Sequence, residues 1–337
     1  MKYWMKVVVV GLVVLTGLLV NVGFAVEMKK VIILYSHPAD FFPQQVLKGL
    51  EQAGFVESKN LTSVQVVASG TTDPAPIVAQ VQDFAPDVII DVSESGHIGE
   101  ALKELAIPII KGNGVERYVN AEGFPVANVT GIYSTLRDMV YNSYRFLQKV
   151  APLKPGQQVV LLDIPEMPLT PRTAVVEALQ RLQIPLKTIV DATIYEDWQE
   201  AILKYNEDPE VGWILYATGP LRKRDGSSVD VQTEIFPWER EHLKKPRVAY
   251  LEMTVREGAL CGFGTDLEAL GEQVGKMAAR VLQGESVQSI QAEYPEKISV
   301  ALNRKTADKL GIIFSLDVLK LADVIYDDYE GKQVIRK

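Results

Sequence analysis

One cysteine and three histidines are scarce material for chemistry in a chain of 337 residues. The lone Cys261 excludes an internal disulfide framework and every multi-cysteine metal site. No two of His37, His97 and His242 are spaced i, i+4, so no zincin-type metal site is expected. Basic residues are outnumbered, 35 Lys and Arg against 43 Asp and Glu, for a net charge of −8. Phosphate neutralisation needs basic patches, so this balance argues against a nucleic-acid partner. A P-loop is missing, and Gly262-Phe263-Gly264 lacks the third glycine of a dinucleotide fingerprint. No cofactor is called for.

What is present begins with an address. Lys2 and Lys6 precede an apolar run from Val7 to Val20, and the segment closes on Gly23-Phe24-Ala25. A positive start, an apolar centre and small residues at the cleavage positions are the marks of a secretory signal peptide. Residues 1–25 are therefore expected to be removed near Ala25, leaving an exported, soluble, periplasmic protein. No cysteine lies near that site, so a lipid anchor is not expected. Retention of the segment as a membrane anchor is the alternative.

The rest of the chain alternates apolar runs with helical patterns. Val31-Ile32-Ile33-Leu34-Tyr35 is continuous and rich in β-branched residues, as a strand buried on both faces requires. Phe42, Val46 and Leu50 then form one apolar stripe with Leu47, and Gly54 fits a helix C-cap. The cycle recurs through Val64–Ala68, Pro74–Phe84, Asp87–Asp91, Gly96–Leu105 and Ile107–Ile110. It restarts after Gly131 with a helix over Ser134–Val150 and a strand over Gln158–Leu162. Late elements follow: a strand at Leu260–Phe263, an amphipathic helix at Leu267–Leu282, a strand at Ile298–Leu302 and a helix at Leu316–Ile325. Such alternation predicts an α/β fold, two doubly wound parallel-sheet lobes joined by crossing hinge segments. Lobe I is expected to hold 27–118 plus 252–285, and lobe II 119–251 plus 286–337. The hinge crossings are expected near Arg117–Asn128, near Leu251–Gly258 and after Gly284.

In open parallel sheets, ligands sit beyond the carboxyl ends of strands, where helix starts offer unpaired N–H donors. Those ends carry Ser36-His37, Asp91-Val92-Ser93-Glu94-Ser95-Gly96, Lys111-Gly112-Asn113, Asp163, Ala217-Thr218-Gly219 and Glu252, of which Ser36, His37, Ser93, Glu94, Ser95, Asp163, Thr218 and Glu252 are the candidate ligand-binding residues. For the serines the competing role is an ordinary N-cap. Ser36 and His37 with Asp40 or Asp91 also suggest a nucleophile. The Gly-x-Ser-x-Gly elbow that would place such a serine is missing, so no catalytic residue is assigned and an enzyme is not expected. Trp198, Trp213 and Trp238, with Tyr133 and Tyr216, are flat surfaces for a ring-bearing guest or, as the default, core packing.

Four segments carry a resemblance to a known family. They are GLEQAGFVESKNL, AIPIIKGNGVERYVNAEGFPVANVTGIY, REGALCGFGTDLEALGEQVGKMAARVLQGE and ALNRKTADKLGIIFSLDVLKLADVIY, in that order. Together they resemble the ABC-transporter substrate-binding proteins of the type 1 periplasmic binding fold, in the branch that includes proposed tryptophan/tyrosine transporters. The resemblance implies a small molecule, amino-acid-like or aromatic in range, captured between two lobes by hinge closure and delivered to an ABC permease in the membrane. A ligand-sensing module for a membrane-bound signalling partner is the alternative, with a hydrolase further behind. The family's Asp-Pro pair after the strand at Ile107–Ile110 is replaced here by Asn113-Gly114-Val115-Glu116-Arg117. Its Thr-Asp-Asn-type turn reads Ala217-Thr218-Gly219-Pro220-Leu221. Both turns lie near the expected cleft, so the family's amino-acid specificity does not carry over.

Overall fold

The computed structural model describes residues 27–36, 42–68, 72–93, 95–164, 171–216 and 221–336. The expected signal segment lies outside them. Among the described residues no helix is long and apolar enough to cross a membrane.

Lobe I is built on a parallel sheet of order β2-β1-β3-β4-β5. Its strands are β1 (Lys29–Tyr35), β2 (Leu61–Val67), β3 (Val88–Asp91), β4 (Ile109–Lys111) and β5 (Val129–Gly131). The continuous apolar run of β1 serves both faces. Val31 and Ile33 pack under α1 (Phe42–Gln52) and α9 (Leu267–Leu282), while Ile32 and Leu34 pack with α2 (Pro74–Phe84) and α3 (Gly96–Leu102). Each such fully buried side chain contributes about 1.5–3 kcal/mol. Helix α9 comes late in the chain yet belongs here, because Gly271 and Gly275 let its backbone lie against α1. A Cβ on Gly275 would stand 2.2 Å from the Val46 carbonyl oxygen.

Lobe II continues with α4 (Leu136–Val150), β6 (Gln158–Asp163), α5 (Arg172–Arg181), β7 (Leu186–Asp191), α6 (Tyr195–Asn206) and β8 (Val211–Leu215). Then come α7 (Phe236–His242), β9 (Val248–Ala249), α8 (Glu252–Arg256) and β10 (Cys261–Thr265). The chain closes with β11 (Ile298–Asn303), α10 (Arg304–Leu310), α11 (Leu316–Leu321), β12 (Val324–Tyr326) and β13 (Gln333–Arg336). Strands β7-β6-β8 form a parallel sheet, and β13-β12-β11-β10-β9 a mixed one. One core spans both: Val159, Leu161, Trp213, Cys261 and Leu302 pack together with Tyr144 and Leu147 of α4. The opposite face of β6 and β8 packs on Trp198 of α6.

Three boundaries differ from the sequence reading. β5 pairs in parallel with β4, so residues 129–131 belong to lobe I, although that lobe was expected to end at 118. β10 pairs with β9 and β11, and Val255 of α8 packs on the same sheet, which places residues 252–265 in lobe II instead of lobe I. The backbone hydrogen bonds decide both cases, and apolar patterning cannot see them. The helix expected over Leu316–Ile325 stops at Leu321. Ala322 is extended (φ −69°, ψ 132°), and the β-branched Val324-Ile325 run pairs with β11.

The chain crosses between lobes at residues 132–135, at Asp266, and over 283–297. The first two crossings thus lie beyond the expected Arg117–Asn128 and Leu251–Gly258. The three are tied to one another. The Tyr133 amide donates to the Glu293 carbonyl at 2.9 Å, and the Tyr133 and Tyr294 rings stack at 4.7 Å. Lys297 Nζ sits 2.8 Å from the Asp266 carboxylate. The Thr135 and Thr265 hydroxyls lie 3.4 Å apart.

Candidate ligand-binding cleft

A cavity of about 390 Å³ opens where the carboxyl ends of β1, β3, β4 and β5 face lobe II. That volume is at the small end of the roughly 300–1,000 Å³ typical of ligand pockets. Lobe I supplies Ser36, Asp91, Lys111 and Arg117; lobe II supplies Met139, Leu251 and Thr265. The crossing strap between them adds Tyr133, Ser134 and Thr135. A parallel sheet places its strand ends together, which is why residues distant in sequence meet here.

An ion pair forms the polar floor. Asp91 and Lys111 are register partners at the ends of β3 and β4, with Lys111 Nζ 2.7 Å from Asp91 Oδ2. The other carboxylate oxygen accepts from the Ser93 amide at 3.1 Å and the Ser93 hydroxyl at 2.7 Å. The Asp91 side chain is 0% exposed and that of Lys111 is 9% exposed. Gly99 makes room for the pair, since a Cβ there would lie 3.2 Å from Lys111 Nζ. Behind it, Tyr118 donates to Glu100 at 2.6 Å. Burial, followed by that hydrogen bond to a carboxylate, raises the Tyr118 phenol well above its ordinary range. Lys103 and Tyr118 hold the Glu100 carboxyl below the usual carboxylate range. The Arg117 guanidinium lines the cavity with its side chain 64% exposed, 3.7 Å from Glu100.

The residues expected from sequence divide clearly. Ser36 lines the cavity. Ser93 is buried and spent on Asp91. Ser95 is buried at the start of α3 without a side-chain capping bond, and its Oγ has no hydrogen-bond partner among the described residues. His37, Glu94 and Thr218 lie outside the described residues. Asp163 and Glu252 stand apart from the cavity lining among the described residues. Asp163 accepts from Arg172 Nε at 2.6 Å, and the same guanidinium also binds Asp191. Glu252 accepts from Ser299 at 2.8 Å and from Tyr326 at 2.7 Å, inside lobe II. Each is held by partners that bring it into the fold, and neither lines the cavity. Among the aromatics, Trp198, Trp213 and Tyr216 are lobe II core, whereas Tyr133 faces the cavity.

Lys111 stood among the expected strand ends and Arg117 at an expected crossing, but neither was assigned as a ligand contact. The signal was a lysine ending the apolar run Ile107–Ile110, where a buried strand seldom places a charge without a partner. Among the described residues no cluster of His, Cys, Asp and Glu is arranged to hold a metal. His97 is taken by the Thr72 carbonyl at 2.8 Å, and His242 by the Trp238 carbonyl at 2.9 Å.

Comparison with known proteins agrees with this architecture. Residues 233–325 match the family model of ABC transporter substrate binding protein. That stretch contains most of the last two segments that carried the sequence resemblance. The resemblance to ABC-transporter substrate-binding proteins is borne out. The fold is that of type 1 periplasmic binding proteins, and solved structures share it over most of their length. A conserved domain protein from Vibrio cholerae O1 biovar El Tor aligns with a TM-score of 0.66 at 23% identity, over 89% of this chain and 100% of that one. The ABC domain in complex with L-Trp from Streptococcus pneumonia aligns at 0.60 and 18% identity, over 88% and 100%. The TorS sensor domain–TorT complex without ligand aligns at 0.57 and 16% identity, over 81% and 92%. No curated protein matches the chain in sequence.

Proposed function

We propose that this is an exported solute-binding protein that captures one small molecule in the interlobe cleft and delivers it to an ABC permease. One observation carries the reading: a cavity of about 390 Å³ whose walls come from both lobes, beside three bonded crossings. Two rigid bodies joined in this way close by hinge rotation. A guest touching both walls stabilises the closed arrangement by its differential affinity for it, and by no more than that. Binding without turnover is part of this reading, and the likeness to binding proteins of the same fold supports it. Ser36, Lys111 and Arg117 are the proposed contacts, with Ser95 beneath them. The periplasm is the proposed compartment, in keeping with the N-terminal signal pattern and the family.

A second reading, a sensory module that reports ligand to a membrane-bound partner, is favoured by the likeness to the TorS–TorT complex. Cross-linking in intact cells separates the two. Capture of a permease with its ATPase supports delivery, and capture of a sensor-enzyme ectodomain supports sensing. A full-length chain that captures neither and carries no small molecule overturns both.

A further inference from the structure

The accessible charge has one sign among the described residues lining the cavity. Among the described residues lining the cavity, Asp91 is the one carboxylate, and its side chain is 0% exposed, enclosed by Ser93 and Lys111. An incoming ammonium group therefore meets no carboxylate it can reach there. An incoming carboxylate meets Lys111, whose Nζ bonds Asp91 and has further N–H donors. It also meets the guanidinium of Arg117, which stands 3.7 Å from Glu100 and keeps most of its surface exposed. The Lys111 ammonium is buried, and a buried ion pair adds little net stability over an apolar pair of similar volume. Asp91 answers one of its N–H donors, and the others, at the cavity floor, are suited to an anion. The buried Ser95 hydroxyl, one residue before the cavity-lining Gly96, is a further donor without an acceptor among the described residues.

The remaining wall is apolar. Leu136, Met139, Leu251, Leu267 and Leu270 line it, with the Tyr133 ring on the crossing strap. We propose that the ligand is a small monoanion: a carboxylate on an apolar, ring-bearing or branched body, with no α-ammonium group. This deepens the solute-binding reading and rests on it. Lys111 takes the carboxylate at the floor, Arg117 approaches from the rim, and Asp91 positions Lys111. The buried pair makes the site selective, because an α-ammonium would be placed against two cations with no exposed carboxylate among the described lining residues to answer it.

The test uses the full chain in calorimetric titration and thermal shift. The probes are phenylacetate, phenylpropionate, indolepropionate and isocaproate, each beside its α-amino acid, its amide and its amine. In parallel, native mass spectrometry of the exported protein identifies any molecule that co-purifies. The expected result is an acid binding at least tenfold tighter than its amino acid and amide, with no binding of the amine. Lys111→Gln should abolish that binding. Because removing one partner of a buried pair endangers folding, Arg117→Gln, at an exposed position, is the second variant and should weaken the acid at least threefold. Tighter binding of an amino acid or amine, or a zwitterionic, cationic or neutral co-purified molecule, overturns the monoanion and leaves the solute-binding reading intact. If no probe binds, a co-purified monoanion supports the proposal; a protein with neither probe binding nor adduct overturns both.

Discussion

Replacing Gly275 with alanine tests how α9 is held in lobe I. A Cβ at this position would lie 2.2 Å from the Val46 carbonyl oxygen and 3.0 Å from the Gly49 Cα, where ordinary contact begins at 3.4 Å. Both obstacles are backbone, so no side chain can rotate away. The helices must separate by about 1 Å, and overpacking of this kind costs about 1–3 kcal/mol, with rigid contacts at the upper end. Alanine in a helix interior returns about 1 kcal/mol relative to glycine. The net expectation is a loss of about 2 kcal/mol. Two lobes need not unfold together, so the assay is hydrogen exchange across a urea series, read separately on peptides from Phe42–Gln52 and Leu267–Leu282. Both should lose protection at lower urea while β6 and β8 stay unchanged. A Gly275→Ala protein equal to or more stable than its parent would refute the close approach of the helices. The consequence reaches function as well, because Leu267 and Leu270 on the same helix form part of the cavity wall.

Two further predictions concern titration and reactivity. Burial alone would raise the Asp266 carboxyl, but the Lys297 ammonium at 2.8 Å and the Ala269 amide at 3.1 Å outweigh it and hold the group below the usual range. A depressed folded value means that the contribution is present above the unfolded pKa of about 3.9 and is lost as pH falls through the folded one. The crossing should therefore loosen in acid, with exchange rising at residues 266–270 below about pH 4. Asp266→Asn should exchange faster at neutral pH and respond less to acid; an unchanged acid response would contradict the assignment. Cys261 is fully buried, and burial pushes its thiol far above the ordinary value. An aromatic disulfide reagent at pH 8 should leave the folded chain unmodified and react at once in denaturant; prompt reaction in the native state would show the lobe II core to be open.

Much of the fold was legible because a parallel strand buried on both faces is written as an unbroken apolar run. Val31–Leu34 and Val159–Leu162 each announce a strand without reference to the rest of the chain. The Leu267–Leu282 helix was equally plain, and its Gly271 and Gly275 spacing carried a packing contact that only coordinates explain. The crossings were harder to place. β5 is a strand of three residues ending in glycine, and β10 carries two glycines in five, so neither has a pattern that assigns it to a lobe. The cleft was legible as a location and obscure as a set of side chains. Asp163 and Glu252 do sit at strand or helix ends, but Arg172, Ser299 and Tyr326 claim them. Lys111 was placed at a strand end, but its pairing was not legible, because Asp91 lies 20 residues away and is adjacent only through strand register.

The most direct measurement is native mass spectrometry of the purified protein beside a variant with Ser134, on the cavity's crossing strap, changed to tryptophan. The parent should carry one small molecule per chain, released on denaturation, and the variant should be folded and empty. An adduct retained in full by the Ser134→Trp chain would place the guest elsewhere and contradict capture between the lobes.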